Sequence, residues 1–171
     1  MRCCPNEFKD LTMPSIAFLS TDNLEDFFVY DELLIPYFND RDWSVETISW
    51  HKKSENWDRF DYVIVRSTWD YQQHAEAFLA CLEEIEASTA TLLNPLSLIR
   101  WNIEKHYLKD LQGKGVPIVK TQWESAYDNS VINEAFSSFK CDTLVVKPTL
   151  SANADDTFKL SQADWLEQQQ V

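Results

Sequence analysis

Four short apolar, β-prone runs, separated by helix-spaced and polar segments, set the tightest limit on the fold of this chain. Ser15-Ile-Ala-Phe-Leu-Ser20, Trp43 to Trp50, Tyr62-Val-Ile-Val65 and Thr91-Leu-Leu93 have strand character. Between the first two, Phe27, Phe28, Leu33, Leu34, Tyr37 and Phe38 follow helical spacing up to Asp40, and Pro36 is expected to kink that helix or end its hydrogen bonding locally. His51 to Arg59 is a polar loop. A later amphipathic helix places Ala75, Phe78, Leu79, Leu82 and Ile85 on one face, with Glu83, Glu84 and Glu86 largely off it. This alternation predicts an α/β fold: a parallel sheet joined by right-handed crossovers.

Asn94-Pro95 marks a change of style and the expected domain boundary. Residues 1–12 show no periodicity and are expected to be a disordered extension, with Met13 as the functional start. Residues 13–94 then make the first domain and residues 95–171 the second. In the second, Pro95 to Trp101 is a short helix, and Asn102 is placed to cap another from Ile103 to Gln112, stopped by Gly113. Val116 to Trp123 is expected to be a strand, Val131 to Phe139 a helix, Leu144 to Lys147 a strand and Thr157 to Leu160 its partner. Ser161 opens one more helix.

Composition removes several functions. Only two glycines occur, Gly113 and Gly115, which excludes a Walker A loop and a G-x-G-x-x-G fingerprint. The net charge of -13 disfavours nucleic acid and anionic membrane surfaces as partners. No apolar run approaches the roughly 18 to 20 residues of a membrane helix, and Arg2 is not followed by a secretory core. Cys3, Cys4, Cys81 and Cys141 lack CxxC spacing, so free thiols in a reducing cytoplasm are the simplest expectation. No nucleophile elbow, HExxH or EF-hand pattern appears.

Several residues nevertheless carry chemistry. Lys147 closes the strand Leu144-Val-Val-Lys-Pro148 on the same face as Val145. If that face is buried, its ammonium needs an anion or a route to water; the alternative is a strand-end lysine snorkelling to solvent. Lys105 is expected in the first turn of the helix capped by Asn102, where the dipole disfavours a cation unless an anion is bound. Pairing with Glu104 or Asp110 is its alternative. Arg66-Ser-Thr-Trp-Asp-Tyr71 follows a buried strand, and ligands gather beyond the carboxyl ends of such strands. Arg66 suits a carboxylate or phosphate, with a salt bridge to Asp70 as the structural alternative, and Trp69 and Tyr71 suit packing equally well. The small, polar segment from Ser151 to Thr157 is either a phosphate-covering flap or an ordinary hairpin loop.

Taken in order, Arg66-Ser-Thr-Trp-Asp-Tyr71, Asn94-Pro95, Arg100-Trp-Asn102 with Lys105 and Tyr107-Leu108, Gly115-Val-Pro, Thr121 and Val145-Val-Lys-Pro148 resemble the glutathione-synthetase-like ATP-grasp ligases, in the group that includes D-cycloserine ligase. The resemblance runs from about Met13 to the last residue. It implies a Rossmann-like pre-ATP-grasp domain followed by the first part of an ATP-grasp domain. It implies ATP as cofactor, with Lys105 and Lys147 on its phosphates and Ser151 to Thr157 covering them, although Ala and Asn replace the glycines common in that loop. It places Arg66, Trp69 and Asp70 on the substrate side as an expectation. The implied chemistry joins a carboxylate to an amine through an acyl-phosphate, with magnesium bridging the phosphates. Counterparts of the magnesium-binding strands and the adenine hinge are absent from the sequence, so the expectation is a truncated, inactive front half without catalytic or metal-binding residues of its own. The resemblance also admits a homodimer. The alternative is a non-catalytic α/β module that binds a ligand or partner and has lost ATP chemistry.

Overall fold

The structure is a computed structural model describing residues 13–25, 28–126 and 128–168. The expected disordered extension, residues 1–12, and the helical assignment of Phe27 lie outside the described residues. The chain divides into two compact units, the first ending at Arg100 and the second beginning at Trp101.

The first unit is built on β1 (Ser15–Ser20), α1 (Asp31–Asn39), β2 (Ser44–Ser49), β3 (Tyr62–Ser67), α2 (Ala75–Glu86) and β4 (Thr91–Leu93). Its four strands run parallel in the order β2-β1-β3-β4. From Ile16 to Ser20, β1 is buried at every residue, as expected for a central strand covered on both faces. Phe18 meets Phe38 of α1 edge-on at 5.7 Å, and Trp50, just after β2, meets Phe78 of α2 in the same way at 5.4 Å. Val63, Leu82, Ile85 and Leu92 are buried in the same core, together with Ile48, Trp57 and Phe60. The parallel α/β expectation is met.

One detail differs from expectation. α1 begins only at Asp31, leaving Phe28 outside it and 76% exposed. Pro36 stands inside α1 without ending it, and its carbonyl still accepts from the Asp40 amide at 2.9 Å. The proline removes one donor, but the helix is one of short span and continues to Asn39.

Spanning the division is α3 (Leu96–Asn102), followed in the second unit by α4 (Tyr107–Gly113), α5 (Asn129–Phe139), β5 (Thr143–Val146), β6 (Phe158–Ser161) and α6 (Gln162–Gln168). Asp128 caps α5, its Oδ1 accepting from the amides of Ser130 and Val131 at 2.8 and 3.0 Å. α5 then buries Ile132, Ala135 and Phe136 with Leu144 of β5, and Phe139, Val146, Leu160 and Trp165 pack around them. β5 and β6 pair antiparallel, with Leu144 opposite Leu160 and Val145 opposite Lys159.

Asn102 does not cap a helix; it is the last residue of α3, and α4 starts at Tyr107. Lys105 lies in the turn between them, because its amide donates to the carbonyl of Thr149 at 2.8 Å instead of entering a helix. Residues 116–123 form no strand. Side chains hold that segment where a ladder was expected: Lys120 Nζ donates to the Ser138 carbonyl at 2.8 Å, while Trp123 packs on His106 and under the Lys109 ammonium. Cys81 is buried and Cys141 half-buried, both as free thiols.

Candidate functional site

The two units each present one cluster of chemically active side chains. In the second, the Lys105 ammonium donates to Ser151 Oγ at 2.7 Å, to the Ser151 carbonyl at 3.1 Å and to the Thr149 carbonyl at 3.3 Å. Backbone and side chain of Lys105 thus both clamp the start of the loop that runs to Thr157. Burial, and then the Lys147 ammonium, hold the Lys105 amine below the usual lysine range. Among the described residues neither lysine makes a salt bridge: Glu104 is taken by His106, and Asp110 accepts from Trp101 Nε1 at 2.7 Å.

The face shared by Val145 and Lys147 is the open one. Val145 is 59% exposed and Lys147 is exposed, whereas Leu144 is buried and Val146 packs on the core. The buried-face condition for an anion at Lys147 therefore fails, and only the like-charged pair of lysines still calls for one.

The loop from Ser151 to Thr157 is a succession of tight turns, with Asn153, Ala154 and Asp156 at positive φ of 52°, 63° and 49°. Asp155 and Thr157 donate their amides back to Ala152 and Ala154 at 2.8 and 3.1 Å. Thr157 Oγ1 bonds within the loop, to the Asp155 carbonyl at 3.3 Å.

In the first unit the strand order reverses between β1 and β3, and polar side chains collect beyond their carboxyl ends. Asp70 accepts from Thr21 Oγ1, from Trp50 Nε1 at 2.7 Å and pairs with His51 Nε2 at 2.6 Å. Burial pushes the Asp70 carboxyl up, but the bonds from Thr21, His51 and Trp50 together outweigh it and leave it below the usual carboxylate range. The His51 ring lies on Trp50, with centroids 3.6 Å apart. Arg66 does not pair with Asp70. Its Nε and Nη2 donate at 2.8 and 2.6 Å to Oδ1 of Asp31, the first residue of α1, whose Oδ2 takes Ser67 Oγ at 2.5 Å. Ser67 in turn accepts the Thr21 amide at 2.9 Å on its carbonyl, linking both halves into one network. Trp69 is half-buried beside it in sequence.

Of the residues singled out from sequence, Lys105 and Ser151 are in direct contact, Lys147 acts on Lys105 through its charge, and Thr157 closes the loop. Arg66 and Asp70 join one network through Asp31, Ser67 and Thr21. Sequence reasoning missed Thr21, Asp31, Trp50 and His51. Thr21 and Trp50 stand immediately after β1 and β2, so the residues at the carboxyl end of each strand were the signal that could have found them. No group of three side chains suited to a metal ion occurs among the described residues. No helix among them is long and apolar enough to cross a membrane.

Residues 16–94 match the family described as D-cycloserine synthetase DcsG, N-terminal domain. The cycloserine biosynthesis protein DcsG of Streptomyces lavendulae is 36% identical over 78 residues, which are 46% of this chain and 26% of that protein. Among solved structures, D-cycloserine synthetase DcsG matches with a TM-score of 0.76 at 23% identity, over 91% of this chain and 53% of that one. A RimK domain ATP-grasp protein from Sphaerobacter thermophilus matches with a TM-score of 0.65 at 15% identity, over 90% of this chain and 57% of the other. The ATP-grasp ligase PsnB, solved with minimal precursor, Mg and ADP, matches at 0.53 and 15% identity, over 88% and 59%. This chain therefore spans about a quarter of the curated relative (26%) and little more than half of the solved ones. At these identities the solved structures speak for the fold.

Proposed function

We propose, from a chain that resembles the N-terminal portion of ATP-grasp ligases in fold and matches DcsG over residues 16–94, that it binds ATP through Lys105 and Lys147 as part of a carboxylate–amine ligase. Residues 13–94 are the pre-ATP-grasp domain in this reading, and residues 95–171 the first part of the ATP-grasp domain. One observation carries it. Lys105, held below the usual lysine range first by burial and then by the Lys147 charge, and Lys147 itself have no carboxylate partner among the described residues, in a chain with 28 acidic and 15 basic residues. Such a pair is relieved by an anion, and a polyphosphate supplies several negative oxygens at once.

Lys105, already seated on Ser151, holds the loop from Ser151 to Thr157 against the phosphates, and exposed Lys147 approaches them from the open face. Bound ATP supplies the phosphoryl group that activates the carboxylate. In this reading magnesium would neutralise charge on the phosphates, and its ligands are assigned outside this chain. Arg66, Trp69 and Asp70 belong to the substrate side. The free thiols fit a cytoplasmic setting, the glutathione-synthetase-like group is the assigned branch, and a homodimer is compatible with it.

The second reading is an α/β module that has lost ATP chemistry. It is favoured by the phosphate loop, where Asp155 and Asp156 place negative charge and three non-glycine residues occupy the left-handed region.

Calorimetry with ATP separates the two. The ligase reading expects weak, measurable binding that disappears in the Lys105→Ala/Lys147→Ala double variant. Equal heats for both proteins sink the lysine site. The 171-residue chain by itself should release ADP only at background with any carboxylate and amine pair, since positioning and metal electrostatics supply most of the rate in phosphoryl transfer. Magnesium-dependent ADP release lost in Lys147→Ala would mean that the chain holds a complete site.

A further inference from the structure

We infer that His51, oriented by Asp70 at the β1/β3 switch point, is the hydrogen-bond acceptor for the amine co-substrate. The inference rests on the ligase reading for the word co-substrate, but the site itself stands on the geometry of the first unit.

Asp70 decides which ring nitrogen of His51 carries the proton. Its carboxylate receives Thr21 Oγ1 and His51 Nε2 on Oδ2 and Trp50 Nε1 on Oδ1. A carboxylate only accepts, so Nε2 must be the protonated nitrogen of a neutral His51. The lone pair is then on Nδ1, and among the described residues nothing donates to it. The ring cannot swing away cheaply, because it lies on Trp50 at 3.6 Å and is pinned at its far end by Asp70. The result is an acceptor fixed in direction, on a side chain 29% exposed, beside the crevice where open α/β sheets bind ligands.

The charge around it selects an amine over a carboxylate. Asp70 lies directly behind the imidazole, and its charge favours a donor bearing positive charge at Nδ1. The nearest cation of the network, Arg66, is already engaged by Asp31 through two N–H groups, so it leaves the Asp70 charge uncompensated. The field of a chain with net charge -13 draws cations as well. Asp70 is a positioning residue in this scheme, and His51 makes the contact.

Long-range nitrogen–proton NMR of the full chain, in which the ring-nitrogen shifts themselves report when His51 is neutral, tests it without ATP or magnesium. The probes are glycinamide, which has an amine and no carboxylate, and acetate, which has the reverse. The expected spectrum shows His51 in the Nε2–H tautomer, and glycinamide shifts Nδ1 saturably while acetate does not. His51→Phe keeps a ring on Trp50 and should weaken glycinamide binding about tenfold, the value of one good hydrogen bond. Asp70→Asn should weaken it and mix the tautomers, a change that lost packing alone would not produce. Lys105→Ala/Lys147→Ala should leave the glycinamide shift untouched, so failure of the ATP site and failure of this site are separate results. An Nδ1–H tautomer, a shift with acetate in place of glycinamide, no shift with either, or unchanged affinity in His51→Phe each overturns the assignment.

Discussion

Asp70 is satisfied by three donors from two segments, Thr21 after β1 and the adjacent Trp50 and His51 after β2, and that convergence fixes the cost of removing it. Hydrogen bonds to a charged group contribute about 1.5–3 kcal/mol, and abandoned buried donors add their desolvation, so Asp70→Ala should cost about 2–4 kcal/mol in urea unfolding. The depressed carboxyl sets the sign with pH. Its stabilisation is fully present above the ordinary aspartate value of about 4 and is lost as pH falls through the lower folded value. Asp70→Asn should therefore show a shallower loss of stability than the parent below that pH; parallel curves would contradict the network. Lys105 has the opposite charge and the same direction of shift, so deprotonating it favours the folded state as pH rises through its lowered value. Lys147→Ala removes the like charge and should raise the Lys105 value, which carbon NMR of the lysine side chain would read directly. If the value does not move, the two ammoniums are not coupled and the phosphate site loses its main support.

Among the elements, the legible ones were those whose partners the local pattern implies. Ile16 to Leu19 and Val63 are continuous apolar runs because β1 and β3 are interior strands, and α2 advertises its buried stripe of Phe78, Leu82 and Ile85. The failures have non-local causes. Nothing in the sequence near Lys105 shows that its amide will be taken by Thr149, 44 residues on, and so that α4 waits until Tyr107. Residues 116–123 have the composition of a strand, but Val119 is 86% exposed and the segment is held by lysine and aromatic contacts instead of a ladder. The lysine and loop residues of the candidate site were legible as an ordered series of motifs, whereas Thr21, Asp31, Trp50 and His51 matter only through a sheet order that brings distant segments together. One element end invites a direct test. Lys140 closes α5 in the left-handed region at φ 52°. A side chain there costs about 1–2 kcal/mol, partly offset in glycine by greater freedom of the unfolded chain, so Lys140→Gly should stabilise by about 0.5–1 kcal/mol. A fall in the thermal midpoint would mean that the lysine has a contact outweighing its backbone cost.

At the scale of the whole molecule, the core is divided unequally. The first unit buries Ile16, Phe18, Leu19, Trp50, Trp57, Val63, Phe78, Leu82 and Ile85 around a four-stranded parallel sheet. The second buries only Ile132, Ala135, Phe136 and Leu144 among its described residues, beneath a two-stranded sheet. Two strands alone are marginal in water, and these are held chiefly by the stripe of α5 laid across Leu144, with Val146 and Leu160. Burial of apolar area dominates stability, so the second unit should open at lower free energy than the first. Hydrogen exchange followed by mass spectrometry is the direct measurement. Amides of β5, β6 and α5 should exchange at least about tenfold faster than those of β1 and β3, through an opening that leaves the first unit protected. Limited proteolysis should cut beyond Trp101 before it cuts within the first unit. If ATP binds at Lys105 and Lys147, it binds only the folded second unit, so added ATP should slow exchange there by mass action and leave β1 unchanged. Uniform exchange across both units would mean that they unfold as one body, and exchange in β5 and β6 unmoved by saturating ATP would argue against the nucleotide site independently of calorimetry.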